Sequence, residues 1–357
     1  MVKVKNMNAA EFEKSLQRKK AVCFCAGQGL RELCEVYPAV PGRISYIVDN
    51  YCYGRSIELG SCEIPVISMQ EVKEDIRHAL LVVASIRYAD EIIKQLDTFA
   101  VCDGLEVFVP ALFQEGAGRM EFPKESREML PRSIHYCWFG KGPMPYRFEQ
   151  NIETWKRNCP DYEIIRWDES NYDYTKNSYM KQAYEAEKWG FVPDYARLDI
   201  INTYGGIYLD TDIELRKSLD DFLRFKLFCG FENAWFVNFG LGFGGAADNP
   251  ILQEMMDLYD VTDFIKPDKT WNLTASPVYQ TKILAKHGLI RNGSCQSREE
   301  FTVLSTEYFS PINAYGIGNI TANTYSVHQY AATWFGEKEK AIRERTAESI
   351  KYVLERI

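Results

Sequence analysis

The chain is missing several patterns whose absence narrows its function. None of its ten cysteines forms a Cys-x-x-Cys pair. Common zinc sites and thioredoxin-type redox sites need that spacing, so both are excluded. No stretch approaches 18 uninterrupted apolar residues. The nearest, 227–247, is broken by Glu232, two asparagines and a run of glycines, so no membrane-spanning helix is expected. Residues 1–20 are polar and charged with no apolar core, which argues against a signal peptide and for a cytoplasmic protein with reduced thiols. There is no basic excess: 42 Lys and Arg face 50 Asp and Glu, a net charge of −8, so bulk electrostatic binding to nucleic acid is excluded. Internal repeats and low-complexity tracts are absent as well.

What remains is an ordinary globular composition in 357 residues, long enough for two domains. Aromatic residues reach 14%, with 22 tyrosines. Flat, polar-edged surfaces suited to sugars and a Tyr-rich core are both compatible with that number. The segment 114–132 carries Gly116, Gly118, Pro123 and Pro131 among charges, without apolar periodicity, and reads as a linker. It divides a first domain, 1–113, from a second, 133–335. A C-terminal helix over 336–357 follows, its apolar residues at helical spacing.

In the first domain, apolar runs at Ala21–Ala26, Ile44–Val48, Leu80–Ser85 and Leu105–Val109 read as buried parallel strands. Cys23 and Cys25 lie within the first run and read as small buried hydrophobes. Helical patterns at Leu30–Tyr37, Met69–Ile76 and Tyr88–Leu96 separate the strands. This alternation predicts a small Rossmann-like α/β domain. Gly27 and Gly29 after the first strand and Asp49 after the second outline a dinucleotide site, but Glu32 stands where the third glycine belongs. A structural role comes first, a nucleotide or sugar-phosphate role second, and NAD chemistry last. Over about 110 residues the pattern resembles the small Rossmann-like domains fused to bacterial polysaccharide-synthesis enzymes.

In the second domain, Ser133–Phe139 reads as a buried strand opening into a Gly/Pro loop, where open α/β sheets bind ligands. Trp138 at its end suits either base stacking or the core. Pro193 starts a helix that Gly205 and Gly206 end. Asp194 and Arg197 share a face of it, as a surface ion pair or as ligands for a nucleotide. The apolar Ile207–Leu209 then runs into Asp210-Thr211-Asp212. In extended chain the two acids share a face and can converge on one hard cation.

Together these segments resemble the family-32 glycosyltransferases with the DXD motif, capsular polysaccharide type. The resemblance runs through Ile134-His135-Tyr136-x-Trp138-Phe139-Gly140, Asp194-x-x-Arg197 and Tyr204-Gly205-Gly206-Ile207-Tyr208-x-Asp210-x-Asp212. It continues through Asn238-Phe239-Gly240, Ser276-Pro277 and a His328-to-Trp334 element, with Gln329 in place of the family's second His. It implies a GT-A fold and a metal-dependent, retaining transfer of a sugar from a UDP- or GDP-sugar to a glycan or lipid-linked glycan. The setting implied is cell-surface or capsular polysaccharide synthesis, with peripheral contact at the inner face of the membrane. Asp210, Asp212 and Arg197 become the catalytic set. Trp138, His135, Asp194, Tyr204, Gly206, Asn238 and Trp334 fall on the donor side. Asp212, Asp210, His328 and Gln329 would hold Mn²⁺ or Mg²⁺. A hydrogen-bonded, partly buried role for His328 competes with ligation. The other classes considered are a non-catalytic nucleotide-sugar-binding module and a DxD phosphohydrolase; the latter's pattern fails at Glu214.

Overall fold

The computed structural model describes residues 1–5, 9–72, 74–113, 120–122, 127–331 and 336–357. They form two compact units: Met1–Gly116 with Gly336–Ile357, and Ala117–Phe335.

The first unit is built on one sheet. Its elements are β1 (Lys3–Lys5), α1 (Ala9–Arg18), β2 (Ala21–Phe24), α2 (Gln28–Val36), β3 (Ile44–Val48), β4 (Arg55–Leu59), β5 (Cys62–Ile67), β6 (Leu80–Val83), α3 (Ala89–Thr98) and β7 (Glu106–Phe108). The strand order is β1-β7-β6-β2-β3-β5-β4. All neighbours pair in parallel except the β4–β5 hairpin. The central strands β2 and β6 are buried along their whole length, as continuous apolar runs require when both faces of a sheet are covered.

Two features differ from the sequence reading. The expected helix over Met69–Ile76 is two short 3₁₀ turns, Met69–Glu71 and Glu74–His78. The Ser68 amide and hydroxyl both donate to Glu71, at 2.8 and 2.7 Å, which closes one turn and stops there. The C-terminal helix, Glu337–Leu354, belongs to the first unit. Val353 joins that unit's core, and Arg345 and Arg356 pair with Asp90 and Asp97 at 2.6 and 2.8 Å.

The dinucleotide outline is filled by the protein itself. Asp49 accepts hydrogen bonds from the amides of Ala26, Tyr51 and Cys52 at 2.9 to 3.0 Å, so both carboxylate oxygens are used within the loop. Cys23 is buried, as expected. Cys25, expected beside it in the core, is only partly buried and sits at φ +74.

The second unit holds β8 (Ser133–Cys137), α4 (Tyr146–Asn158), β9 (Glu163–Trp167), α5 (Ser178–Glu185), α6 (Pro193–Tyr204), β10 (Gly206–Tyr208), β11 (Ile213–Leu215), β12 (Leu227–Phe231), β13 (Val237–Asn238), β14 (Phe243–Gly245), α7 (Pro250–Asp260), α8 (Ser276–Lys286), β15 (Gln296–Ser297), β16 (Thr302–Leu304) and β17 (Ser326–His328). The main sheet runs β15-β16-β12-β14-β10-β8-β9, with β13 on β12. β8, β9 and β10 are parallel, while β14 runs against both β10 and β12. The C-terminal ends of β8, β10 and β12 therefore open on one side of the sheet. The α/β class holds in both units. The second is a mixed sheet whose acidic loop follows an inner strand, in keeping with the GT-A layout that the resemblance implies.

Part of the segment expected to be a linker is core. Residues 114–119 and 123–126 lie outside the described residues, but Met120 and Leu130 are buried in the second unit. The amides of Met129 and Leu130 both donate to the Leu223 carbonyl, at 2.7 and 3.0 Å. Gly and Pro content gives no hint of this, because the anchoring partner lies about 90 residues further on.

Candidate functional site

The site grows from α6. Pro193 sits in its first turn, and Gly205 ends it at φ +68, a left-handed cap that suits glycine. Between those ends, Asp194 through Ile201 are buried without exception. A helix buried all round must pair whatever charge it carries. Asp194 and Arg197 are each 4% exposed, so their pairing is a buried one and not the surface ion pair that the spacing alone allows.

The Arg197 guanidinium lies 3.3 Å from Asp194 Oδ1 and 3.3 Å from Asp210 Oδ1. Its Nε donates to the Pro193 carbonyl, and its cationic centre lies over the Tyr208 ring. One cation thus serves two carboxylates from different elements. Burial pushes Asp194 up to about 7, with Arg197 opposing. Burial likewise raises Asp210, against the pull of Arg197.

Asp210 and Asp212 follow β10 directly. The backbone amide of Asp210 donates to the Gly240 carbonyl at 3.3 Å. A Cβ at Gly240 would stand 2.2 Å from Asp210 Oδ2, so a side chain there would displace that carboxylate. Asn238 Oδ1 accepts the Gly240 amide at 2.7 Å, and Asn238 Nδ2 donates to Glu232 at 3.2 Å.

The two acids lie in a turn rather than in extended chain, closed by the Ile213 amide donating to the Asp210 carbonyl at 3.1 Å. β11 pairs antiparallel with β17, which sets Ile213 opposite His328. His328 Nε2 then stands 3.1 Å from Asp212 Oδ1, and the Ala331 amide donates to Asp212 Oδ2 at 2.9 Å. Burial works against both charges, but each holds the other: His328 keeps Asp212 low, and Asp212 raises His328. The remaining ring nitrogen, His328 Nδ1, is buried without a hydrogen-bond partner among the described residues.

Among the described residues, no group of three or more His, Cys, Asp and Glu side chains is arranged as a metal cage. Asp210 and Asp212 supply hard oxygen donors of the kind Mn²⁺ and Mg²⁺ take. The acids Asp194, Asp210, Asp212 and Glu232 outnumber the bases Arg197 and His328. The residues present fit a divalent cation as an open site rather than as a closed one.

Several residues expected at the site have other work. Gln329 gives its side-chain Nε2 to Asn151 Oδ1 at 3.0 Å, while its backbone amide donates to the Asp212 carbonyl at 3.0 Å. His135 is 1% exposed, and both ring nitrogens are bonded within the fold. Its Nδ1 accepts from Trp167 Nε1 at 3.1 Å, while its Nε2 faces the Gly205 carbonyl and Ser133 Oγ, each at 3.1 Å. It packs in the core, with no polar atom left for a donor. Tyr204 and Gly206 sit where α6 ends and β10 begins, at the opposite end of the strand from Asp210. Tyr204 is 56% exposed, and its ring stacks on Trp167. Trp138 does stand at the C-terminal end of β8, partly buried. Its Nε1 donates to the Gly142 carbonyl at 2.8 Å, and its ring lies against Phe148. Trp334 lies outside the described residues.

Two further contributors have no motif to announce them. Asn151, buried on α4, donates to the Thr211 carbonyl at 2.9 Å and pairs with Gln329, so it ties the acidic loop to the segment after β17. Glu232 follows β12 on the side of the sheet where the acids lie. Burial raises its carboxyl, with His328 opposing. A lone Asn in a helix and a lone Glu after a strand match no pattern, so only the fold brings them to the site.

Residues 145–228 match the family described as "Glycosyltransferase sugar-binding region containing DXD motif". That match lies within the second unit and includes Asp194, Arg197, Asp210 and Asp212. The chain is similar to inositol phosphoceramide mannosyltransferase 1 of Schizosaccharomyces pombe, 28% identical over 31% of this chain and 39% of that protein. It thus spans about two fifths of that relative's length. An uncharacterised glycosyltransferase of Acanthamoeba polyphaga mimivirus is 24% identical over 58% of this chain and 84% of that one. Among solved structures, the PaToxG glycosyltransferase overlaps 47% of this chain and 72% of its own at 21% identity, with a TM-score of 0.38.

Proposed function

We propose that the chain is a metal-dependent, retaining glycosyltransferase that moves a sugar from a nucleotide-diphospho-sugar to a glycan or lipid-linked glycan. The observation that carries this reading is the buried Arg197, shared by Asp194 and Asp210 beside Asp212 at the open end of the sheet. That arrangement lies within the matched DXD region.

Each residue has a chemical task in this reading. Arg197 presents a fixed positive charge toward the donor, and it needs no reorganisation because Asp194 and Asp210 already hold it. Asp210 and Asp212 would hold Mn²⁺ or Mg²⁺, with His328 orienting Asp212. A bound divalent cation supplies Lewis-acid stabilisation to the departing diphosphate. Asp194 approaches the sugar hydroxyls, and Trp138 stacks on the base. The bond from the anomeric carbon to the phosphate oxygen breaks as the acceptor oxygen bonds to the same face of that carbon. The acceptor proton passes to the leaving phosphate. The fission-yeast relative is named for an inositol phosphoceramide, which supports a lipid-linked acceptor here. With such an acceptor the enzyme would work against the inner face of a membrane. No helix among the described residues is long and apolar enough to cross one. Capsular or cell-surface polysaccharide synthesis is the setting we infer.

The test is a hydrolysis screen of UDP- and GDP-sugars with Mn²⁺, run beside Asp212→Ala. Turnover of one donor, lost in the variant and on chelation, is expected. Turnover that survives both would overturn the metal assignment, and no turnover of any donor would leave a binding module.

A further inference from the structure

β12 runs parallel to β10, because β14 is antiparallel to both. Glu232, the residue after β12, therefore emerges on the same side of the sheet as Asp210, from a strand two places away. It is half-buried. One carboxylate oxygen accepts the Asn238 amide at 3.2 Å, and the other has no hydrogen-bond partner among the described residues. Its backbone is fixed as well, since the Glu232 amide donates to the Phe236 carbonyl at 2.8 Å.

The neighbours connect it to the acids. Asn238 also holds the Gly240 amide, and Gly240 packs directly against Asp210 Oδ2. A carboxylate repels a diphosphate and accepts hydrogen bonds, so a neutral ligand for it is rich in O–H donors. Within a nucleotide sugar both the ribose and the transferred sugar carry hydroxyls, and the transferred sugar carries more of them. We propose that Glu232 binds the transferred sugar, its open oxygen accepting a hydroxyl while Asn238 fixes its orientation. This rests on the transferase reading and assigns that site a specificity-determining residue.

The experiment compares the full-length wild type with Glu232→Gln and Glu232→Ala, in Mn²⁺. Calorimetry measures affinity for UDP and GDP and for UDP-glucose and GDP-mannose, and melting temperature is recorded for each variant. Gln keeps an oxygen for Asn238, so its melting temperature should match the wild type. Diphosphate affinity should stay within about twofold in both variants. Affinity for the nucleotide sugar that the wild type prefers should fall about tenfold or more, as loss of a charged hydrogen bond implies. Unchanged nucleotide-sugar affinity in both variants overturns the proposal. So does a parallel loss of diphosphate and nucleotide-sugar affinity, which would mark a role at the cation or the ribose. A wild type that binds a diphosphate but neither nucleotide sugar more tightly than it sinks the sugar site altogether. A wild type that binds none of the four sinks the transferase reading itself, a result distinct from any of these.

Discussion

Arg197 shows how a single residue can be both structural and functional. Removing one member of a buried, paired set leaves the others uncompensated, at a cost of about 3–5 kcal/mol. Arg197→Ala should therefore lower both melting temperature and activity. Arg197→Lys keeps the charge but lacks the guanidinium fork, in which Nη2 reaches both Asp194 and Asp210 while Nε donates to the Pro193 carbonyl. It should melt closer to the wild type and still lose most turnover. Equal turnover in the Lys variant would show that the fork is not needed. His135 makes the opposite case, a histidine whose work is all in the core. Burial pushes it down to about 4, with the Gly205 carbonyl opposing. The unfolded chain therefore binds a proton near pH 6.5 that the folded chain refuses until about 4. Its contribution is present above about pH 6.5 and lost as pH falls toward 4, by up to about 3 kcal/mol. Urea unfolding at about pH 7 and about pH 5 should show that loss in the wild type and a smaller one in His135→Gln. Identical pH slopes would remove His135 from this pH dependence.

At the scale of elements, the site depends on close approach between strands. Gly240 leaves room for Asp210, and its replacement by alanine would force the carboxylate to move. Gly240→Ala should cut turnover by about tenfold or more, with a smaller change in stability than a core cavity would cause. Activity within about twofold of the wild type would mean the loop yields without moving Asp210. The α6 helix is legible in the sequence because Pro193 and Gly205 mark its ends. Strand β10 and the acids after it are legible as an apolar run meeting two carboxylates. The Met69–Ile76 stretch is not, because its apolar spacing fits a helix while the Ser68–Glu71 bonds close a single turn. Nor is the role of Gln329, since its place in a family pattern says nothing about Asn151, which takes its amide.

At the scale of the whole molecule, the chain leaves its first unit, builds the second, and returns. The C-terminal helix completes the first unit's core through Val353 and pairs Arg345 and Arg356 with Asp90 and Asp97. Truncation at Gly336 should therefore destabilise the first unit, seen as a lower or lost calorimetric transition, although the site residues lie in the second. A truncated chain with an unchanged melting profile would show the helix to be dispensable. The first unit should also fail to bind NAD or NADP in the full chain, because Asp49 is engaged by three backbone amides. Micromolar binding of either cofactor, measured by calorimetry, would reverse that.

Local signals in the sequence are enough to locate what depends on neighbouring residues. They include the buried strands, the capped α6 helix, the Asp210–Asp212 pair and the absence of a long apolar run. Each is a pattern over a few positions, where side-chain period, caps and charge act directly. Only the tertiary structure decided which of those residues meet. It joined Arg197 to Asp210, set His328 on Asp212 through the β11–β17 register, tied Gln329 to Asn151, and brought Glu232 to the side of the acids. It also placed His135, Tyr204 and Gly206 away from Asp210. Contacts between residues far apart in sequence follow from strand order and register, and no local pattern encodes either.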